Sequence, residues 1–282
     1  MSGLAGVAYK ALIGVAAGAM MVGGAQAADL AVSEPIVAAE VTPNWDIAFG
    51  VAGVTDYRFR GITQTNNNPA IQGYAELQLF DWVYAGVWAS SVSFPERRGL
   101  TDPAAEVDLY AGIRHTWDAF TLDVGGLYYW YPGEHKQFPG QKEIDYWELK
   151  ALPSYSFGDF GSITGNIWWS SDFVNTGAEE LYLSIVPKVN IPVASMPNLG
   201  FYISGEVGKQ WVKKTDSGFN PPDYWTWNVG GGVTYKAMTV DVRYTDTNLS
   251  KNECYAFAGA RSWCGSTVVG KIAFDTSLNK LK

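Results

Sequence analysis

Asp56, Arg58 and Arg60 stand at alternate positions, so an extended segment sets one carboxylate and two guanidiniums on the same face, with Tyr57 and Phe59 on the other. Such a face can form a salt-bridge cluster near a rim or a constriction that attracts anions. Glu148 and Lys150 repeat the theme with opposite charges two residues apart, placed to neutralise each other. Hydrolytic chemistry has little to draw on. His115 and His135 are the only histidines, the first at a strand end near Trp117, the second in a polar stretch with Lys136 and Lys142. No Gly-x-Ser-x-Gly stands on a strand-turn-helix, so no catalytic residue, cofactor or metal is expected and the chain reads as a non-enzyme. Asn68-Pro69-Ala70 spells a water-channel tripeptide without the helices that motif requires.

The elements that must position these charges have period two. After a leader at 28–44, segments of about ten residues alternate apolar and polar side chains. They fall near 46–57, 70–80, 83–93, 106–116, 120–131, 144–155, 162–173, 179–189, 199–211, 224–235, 238–247 and 266–275. This even set of twelve suits a closed antiparallel barrel whose two ends share one side of a membrane. Long polar connections at 61–69, 94–105, 132–143, 212–223 and 248–265 alternate with tight ones at 80–82, 117–119, 157–161 and 236–237. The stretches 174–178 and 190–198 fit that alternation least well.

Energy decides which face meets lipid, because Arg or Lys on the outer wall at the bilayer midplane costs about 2–4 kcal/mol. The lumen is therefore expected to carry Glu76, Asp108, Arg114, Asp123, Glu148, Lys150, Lys188, Glu206, Asp241 and Arg243, with Arg58 and Arg60 near the rim. The acid excess at mid-strand hints at weak cation preference. Leu77, Leu109, Ile113, Val124, Leu149, Ile203 and Val242 face outward by the same alternation. Trp45, Trp82, Trp88, Tyr128 to Tyr131, Trp168, Trp169, Trp225 and Trp227 cluster toward strand ends, as two interfacial girdles would require. Gly230-Gly231-Gly232 has no helix after it and reads as a bend or close approach within a strand.

Composition agrees. The 282 residues include 31 Gly, 12 Trp, 16 Tyr and 13 Phe, with 47% hydrophobic and 17% charged residues. A mean hydropathy of −0.05 excludes a bundle of spanning helices. A formal charge of −8 gives no footprint for nucleic acid. One lysine, an apolar run over residues 11–25 and the small-x-small triplet Ala25-Gln26-Ala27 predict a signal peptide at 1–27. Export would carry Cys254 and Cys264 into an oxidising compartment, where a disulfide closing so short a loop is worth roughly 3 kcal/mol.

Residues Val54 to Thr65, then Pro69 to Gly73, the block Tyr84 to Val92 and the block Glu106 to Gly112 together resemble the TorF family of porins. The resemblance covers residues 54–112. It implies a Gram-negative outer-membrane barrel surrounded by lipid, placed there by the outer-membrane assembly machinery, with small polar solutes or ions as cargo. Outer-membrane barrels commonly end on an aromatic residue, whereas here Phe274 is followed by residues 275–282, so either a tail is appended or the last strand runs further. Two rivals are a soluble periplasmic sandwich and a closed barrel that acts through its outer loops. The all-β, antiparallel, twelve-stranded transmembrane barrel over residues 45–282 is the expectation carried forward.

Overall fold

The computed structural model describes residues 44–281. The expected export segment at 1–27 and nearly all of the leader at 28–44 lie outside the described residues. Twelve strands close into one antiparallel barrel in chain order: β1 (Trp45–Val54), β2 (Ala70–Leu79), β3 (Val83–Ser90), β4 (Glu106–Trp117), β5 (Phe120–Trp130), β6 (Tyr146–Ser156), β7 (Gly161–Ser170), β8 (Glu180–Pro192), β9 (Leu199–Val212), β10 (Tyr224–Tyr235), β11 (Met238–Thr247) and β12 (Thr267–Ser277). The first and last strands close the ring, with Ala48 opposite Ser277 and Val54 opposite Lys271. Closure removes the free edges that hydrocarbon would leave without hydrogen bonds.

Short turns lie at 80–82, 118–119, 157–160, 193–198 and 236–237, and long connections at 55–69, 91–105, 131–145, 171–179, 213–223 and 248–266. The long–short alternation therefore runs through both doubtful stretches. Asp118 and Lys236 open two-residue turns with φ of 53°, the sense that matches strand twist. The last strand continues three residues past Phe274 and ends in a short 3-10 turn, Leu278–Lys280. One helix, α1 (Lys251–Ala258), stands in the final long connection. No described helix is long and apolar enough to cross a membrane.

Outside, Leu77, Leu109, Ile113, Val124, Leu149, Ile203 and Val242 are exposed, while inside Glu76, Asp108 and Glu148 are 0% exposed. An apolar outer wall on a closed barrel places the chain in the outer membrane of a Gram-negative bacterium, with its strands crossing the bilayer. Trp45, Trp82, Trp117, Phe120 and Tyr235 form a belt at the short-turn end, and Tyr128, Trp130, Trp147 and Trp225 one at the other. Trp88, Tyr129, Tyr131 and Trp168, expected in these girdles, are instead buried inside the barrel. Their register is that of the inward positions: Trp88 pairs with Asp108, and Asp108 with Tyr129.

Part of the excess of glycine and tyrosine has a common steric cause. The Tyr84 ring lies across Gly112 and Gly125 on neighbouring strands, Tyr110 across Gly86, Tyr182 across Gly208 and Tyr202 across Gly232, and a Cβ at any of these glycines would collide with the ring. The triple glycine of β10 is thus a close approach, with Gly230 against Arg243. Flat inward rings need side-chain-free neighbours, and together they fill a tube too wide for single aliphatic layers.

Overpacking of this kind costs about 1–3 kcal/mol, so Gly112→Leu is expected to lower the unfolding free energy in lipid vesicles by that order and the midpoint with it. Gly53→Val, at a position with nothing within 4 Å, leaves it unchanged; heat-modifiable gel migration reads both.

Candidate functional site: a loop seated in the lumen

β1 stops at Val54, three residues earlier than the alternation suggests, and the chain turns inward. Thr55 N–H still donates to the Gly270 carbonyl at 2.9 Å. Beyond it Arg58–Phe59 and Ile62–Thr63 pair as a miniature hairpin. Its tip is Arg60–Gly61, with φ of 48° and 84°. A side chain at position 61 would strike Thr226 and Thr247 on the wall, so the tip requires glycine. Asp56 is the hub of this loop: it accepts from Thr63 Oγ1 at 2.5 Å and Thr65 Oγ1 at 3.0 Å through one oxygen, and from Arg58 Nε at 2.5 Å through the other.

Asp56, Arg58 and Arg60 consequently do not share one strand face, which corrects the sequence expectation. Arg58 turns toward the outer loops, where Nη1 donates to the Trp263 carbonyl at 2.7 Å and Nη2 to Asn67 Oδ1 at 2.8 Å. Arg60 leaves the rim for the interior, its side chain 1% exposed. There Nη2 donates to Glu148 Oε1 at 2.7 Å, and Nη1 to Glu180 Oε2 at 2.7 Å and to Gln210 Oε1 at 3.0 Å. Its guanidinium also lies over the Tyr182 ring, 4.6 Å from the centroid. Burial by itself weakens a guanidinium's hold on its proton, but the Glu148 and Glu180 carboxylates more than offset this and keep Arg60 well above its ordinary value.

Tyrosines surround the pair. Tyr129 donates to the free oxygen of Glu148 at 2.8 Å, and Tyr57 and Tyr131 donate to the two oxygens of Glu106 at 2.8 and 3.0 Å. Burial and the Glu106 carboxylate push the Tyr57 hydroxyl upward, so it remains a donor.

The other lumen residues form two further clusters. Arg114 meets Asp123 at 2.9 Å and Glu76 at 3.3 Å, with Lys150 at 3.5 Å from Asp123. Glu148 and Lys150 therefore do not neutralise each other: the first serves Arg60, the second Asp123. Arg243 holds Asp241 and Asn228 at 2.9 and 2.6 Å, Tyr182 donates to Glu206 at 2.8 Å, and Lys188 lies over Tyr202 at 4.8 Å. Asp108 is buried with no hydrogen-bond partner on either oxygen. A cavity of about 50 Å³ remains beneath the loop, lined in part by Arg60, Gln72, Glu206, Asn228 and Arg243. That is room for a few waters at most.

Sequence reasoning missed Glu106, Glu180 and Gln210 as site residues. Glu106 and Gln210 were legible as inward positions of their strands, but Glu180 sits beside Glu179, and two adjacent acids at a strand start hide which one points inward.

The outer loops clamp the inserted one. Cys254 and Cys264 are joined, closing a ring over α1, whose Ser250 and Glu253 form a reciprocal cap. Within that ring the Trp263 carbonyl accepts from Thr63 N–H at 3.1 Å as well as from Arg58, and its indole donates to Asn66 at 2.9 Å. Ser93 N–H donates to the Gln64 carbonyl at 2.9 Å from the second long connection. Among the described residues no group of three His, Cys, Asp or Glu is placed to hold a metal ion. His115 stacks on Trp82 at 3.7 Å, and His135 meets Glu96 at 3.1 Å in the loops.

A family model described as "Bacterial protein of unknown function (Gcw_chp)" matches residues 38–274. No curated protein matches the chain. Among solved structures, LpxR from Salmonella typhimurium is 10% identical with a TM-score of 0.43, covering 80% of this chain and 99% of that one. A loop L8 deletion mutant of OmpT, an outer membrane protein of Vibrio cholerae, is 10% identical at 0.39, covering 83% and 98%. The outer membrane protein OprD from Pseudomonas aeruginosa is 8% identical at 0.35, covering 72% and 59%.

Truncating one partner of a buried charge pair leaves the other unpaired, at a cost of about 3–5 kcal/mol. Arg60→Ala is expected to destabilise the barrel by that order, and the triple change with Glu148→Gln and Glu180→Gln to recover part of it. A denaturant midpoint series in vesicles reads the coupling.

Proposed function

Since this chain belongs to the Gcw_chp family, whose description assigns no function, we propose its function from the lumen: a gated outer-membrane channel for small polar solutes or ions, shut in this state by the 55–69 loop. The observation that carries the reading is Arg60. A charged side chain delivered by an outer loop, rather than by the wall, occupies the lumen and is held to β6, β8 and β9 by polar contacts alone, apart from the Tyr182 ring beneath it. Arg60's contacts exchange with water once the loop lifts, while Tyr57 and Phe59 of the same loop, set edge-on against Trp88 and Tyr129, and buried Ile62 add apolar contacts that lifting must break.

The resemblance of residues 54–112 to TorF porins supports the transport reading. The loop is also where charge selection would arise, because its withdrawal removes Arg60 from among Glu148, Glu180, Glu106 and Asp108 and leaves an acidic passage that favours cations. The reading is of a passive conduit, not an enzyme. Lipid surrounds the belt, and the assembly machinery is the expected partner in biogenesis.

One observation favours a second reading, a permanently closed barrel that acts through its outer surface: the tyrosine rings seated on glycines also fill the lumen below the loop.

Planar-bilayer conductance decides between them. The wild-type chain is expected to be silent apart from rare steps, and folded Arg60→Ala to raise open probability about tenfold or more, the effect of about 1.4 kcal/mol in gate equilibrium. Its steps are cation-selective. Silence from wild type and variant alike, with heat-modifiable migration showing both folded, selects the closed barrel.

A further inference from the structure

The wall that receives Arg60 has the chemistry of a binding site. Glu148 on β6 and Glu180 on β8 take opposite amino groups of one guanidinium, Gln210 on β9 accepts a further hydrogen bond, and Tyr182 supplies a flat ring beneath. Glu148 is itself oriented by the Tyr129 hydroxyl and Glu180 by the Gln210 amide. Two carboxylates in a planar fork with an aromatic floor match a guanidinium in shape, and match an ammonium, a point charge, poorly.

The fit of the tethered occupant is incomplete in a telling way. Arg60 Nε and Glu180 Oε1 are both buried without a hydrogen-bond partner. These are a donor and an acceptor of the kind that a two-pronged guanidinium–carboxylate pair brings together, and the backbone turn at Arg60–Gly61 fixes where the side chain enters. A free guanidinium carries no such tether and can rotate to satisfy the second oxygen. Withdrawal of the Arg60 side chain itself vacates the volume in which that rotation takes place.

We propose that the Glu148–Glu180–Gln210–Tyr182 wall is a receptor for small guanidinium-bearing solutes, with Arg60 as its built-in occupant in the closed state. The proposal rests on the gated-channel reading, which supplies the route by which such a solute reaches the wall, and it names the solute class that the passage selects. A solute that takes the wall displaces Arg60 and so favours the open loop, which makes the cargo its own key.

The test uses the full chain folded into vesicles as wild type, Arg60→Ala and Arg60→Gln. The glutamine form keeps a donor for the carboxylates should the alanine form fail to fold. Each is titrated with L-arginine, L-lysine and the neutral isostere L-citrulline while the unfolding midpoint is followed, and conductance is recorded on the same preparations. Both variants are expected to be stabilised by L-arginine at a concentration about tenfold lower than by L-lysine, as fork geometry requires, with no response to L-citrulline. Adding Glu180→Gln removes the response. Equal responses to arginine and lysine, a response to citrulline of similar size, or persistence of the arginine effect in the Glu180→Gln background overturns the receptor. Arginine binding without conductance in any form supports the receptor and overturns the gate instead. Conductance with no arginine preference does the reverse.

Discussion

A charge cannot face hydrocarbon, and in a closed ring of twelve strands the only other direction is inward. That constraint governs the molecule. It sends Glu76, Asp108, Asp123, Glu148, Lys150, Glu206, Asp241 and Arg243 into a tube where water is scarce, so each must find a partner across the lumen or bear the cost of burial. Most find one: Asp123 serves Arg114 and Lys150, and Asp241 serves Arg243. Glu106 and Asp108 on β4, Glu148 on β6 and Glu180 on β8 also point into the lumen, and the cations Arg114 on β4 and Lys150 on β6 serve Asp123 instead. The positive charge that Glu148 and Glu180 take, Arg60, arrives from a loop.

Filling the tube is a separate problem with a separate solution. Most large aliphatic side chains go outward to lipid, and beside a few inward ones such as Leu127, Leu152 and Val186 much of the inner volume is filled by tyrosine, whose ring spans a strand and whose hydroxyl can meet a carboxylate. Tyr84 does both, lying over Gly112 and donating to Asp123 at 2.5 Å. Tyr182 covers Gly208, donates to Glu206 and lies under Arg60. Packing and electrostatics therefore share the same residues, and a change at one tyrosine disturbs both.

The barrel was largely legible in the sequence because the inside-outside alternation is enforced by solvation energy along every strand. The twelve segments, the lipid-facing set and the alternation of long and short connections all follow from it. The inserted loop was not legible, and Tyr57 to Arg60 show why. Aromatic and basic residues alternate there as they would on a strand, so hydropathy continues smoothly past Val54, where the backbone leaves the wall, and only Gly61 at the hairpin tip marks a turn. Inward Trp88 and Tyr129 were misplaced for a related reason: residue type suggests the interface, and only the pairing register, through Asp108, shows that they point inside.

The clasp on the inserted loop joins opposite ends of the chain. Arg58, Thr63 and Asn66 follow the first strand, whereas Trp263 and its cystine ring precede the last. These partners become neighbours only when β1 and β12 zip together. During biogenesis a sheet that has not yet sealed has nothing to hold Arg60 in place, so seating of the hairpin is a late event that certifies completion of the cylinder. The cystine ring, closed between residues ten apart, can form before that seal and stands ready to receive the hairpin.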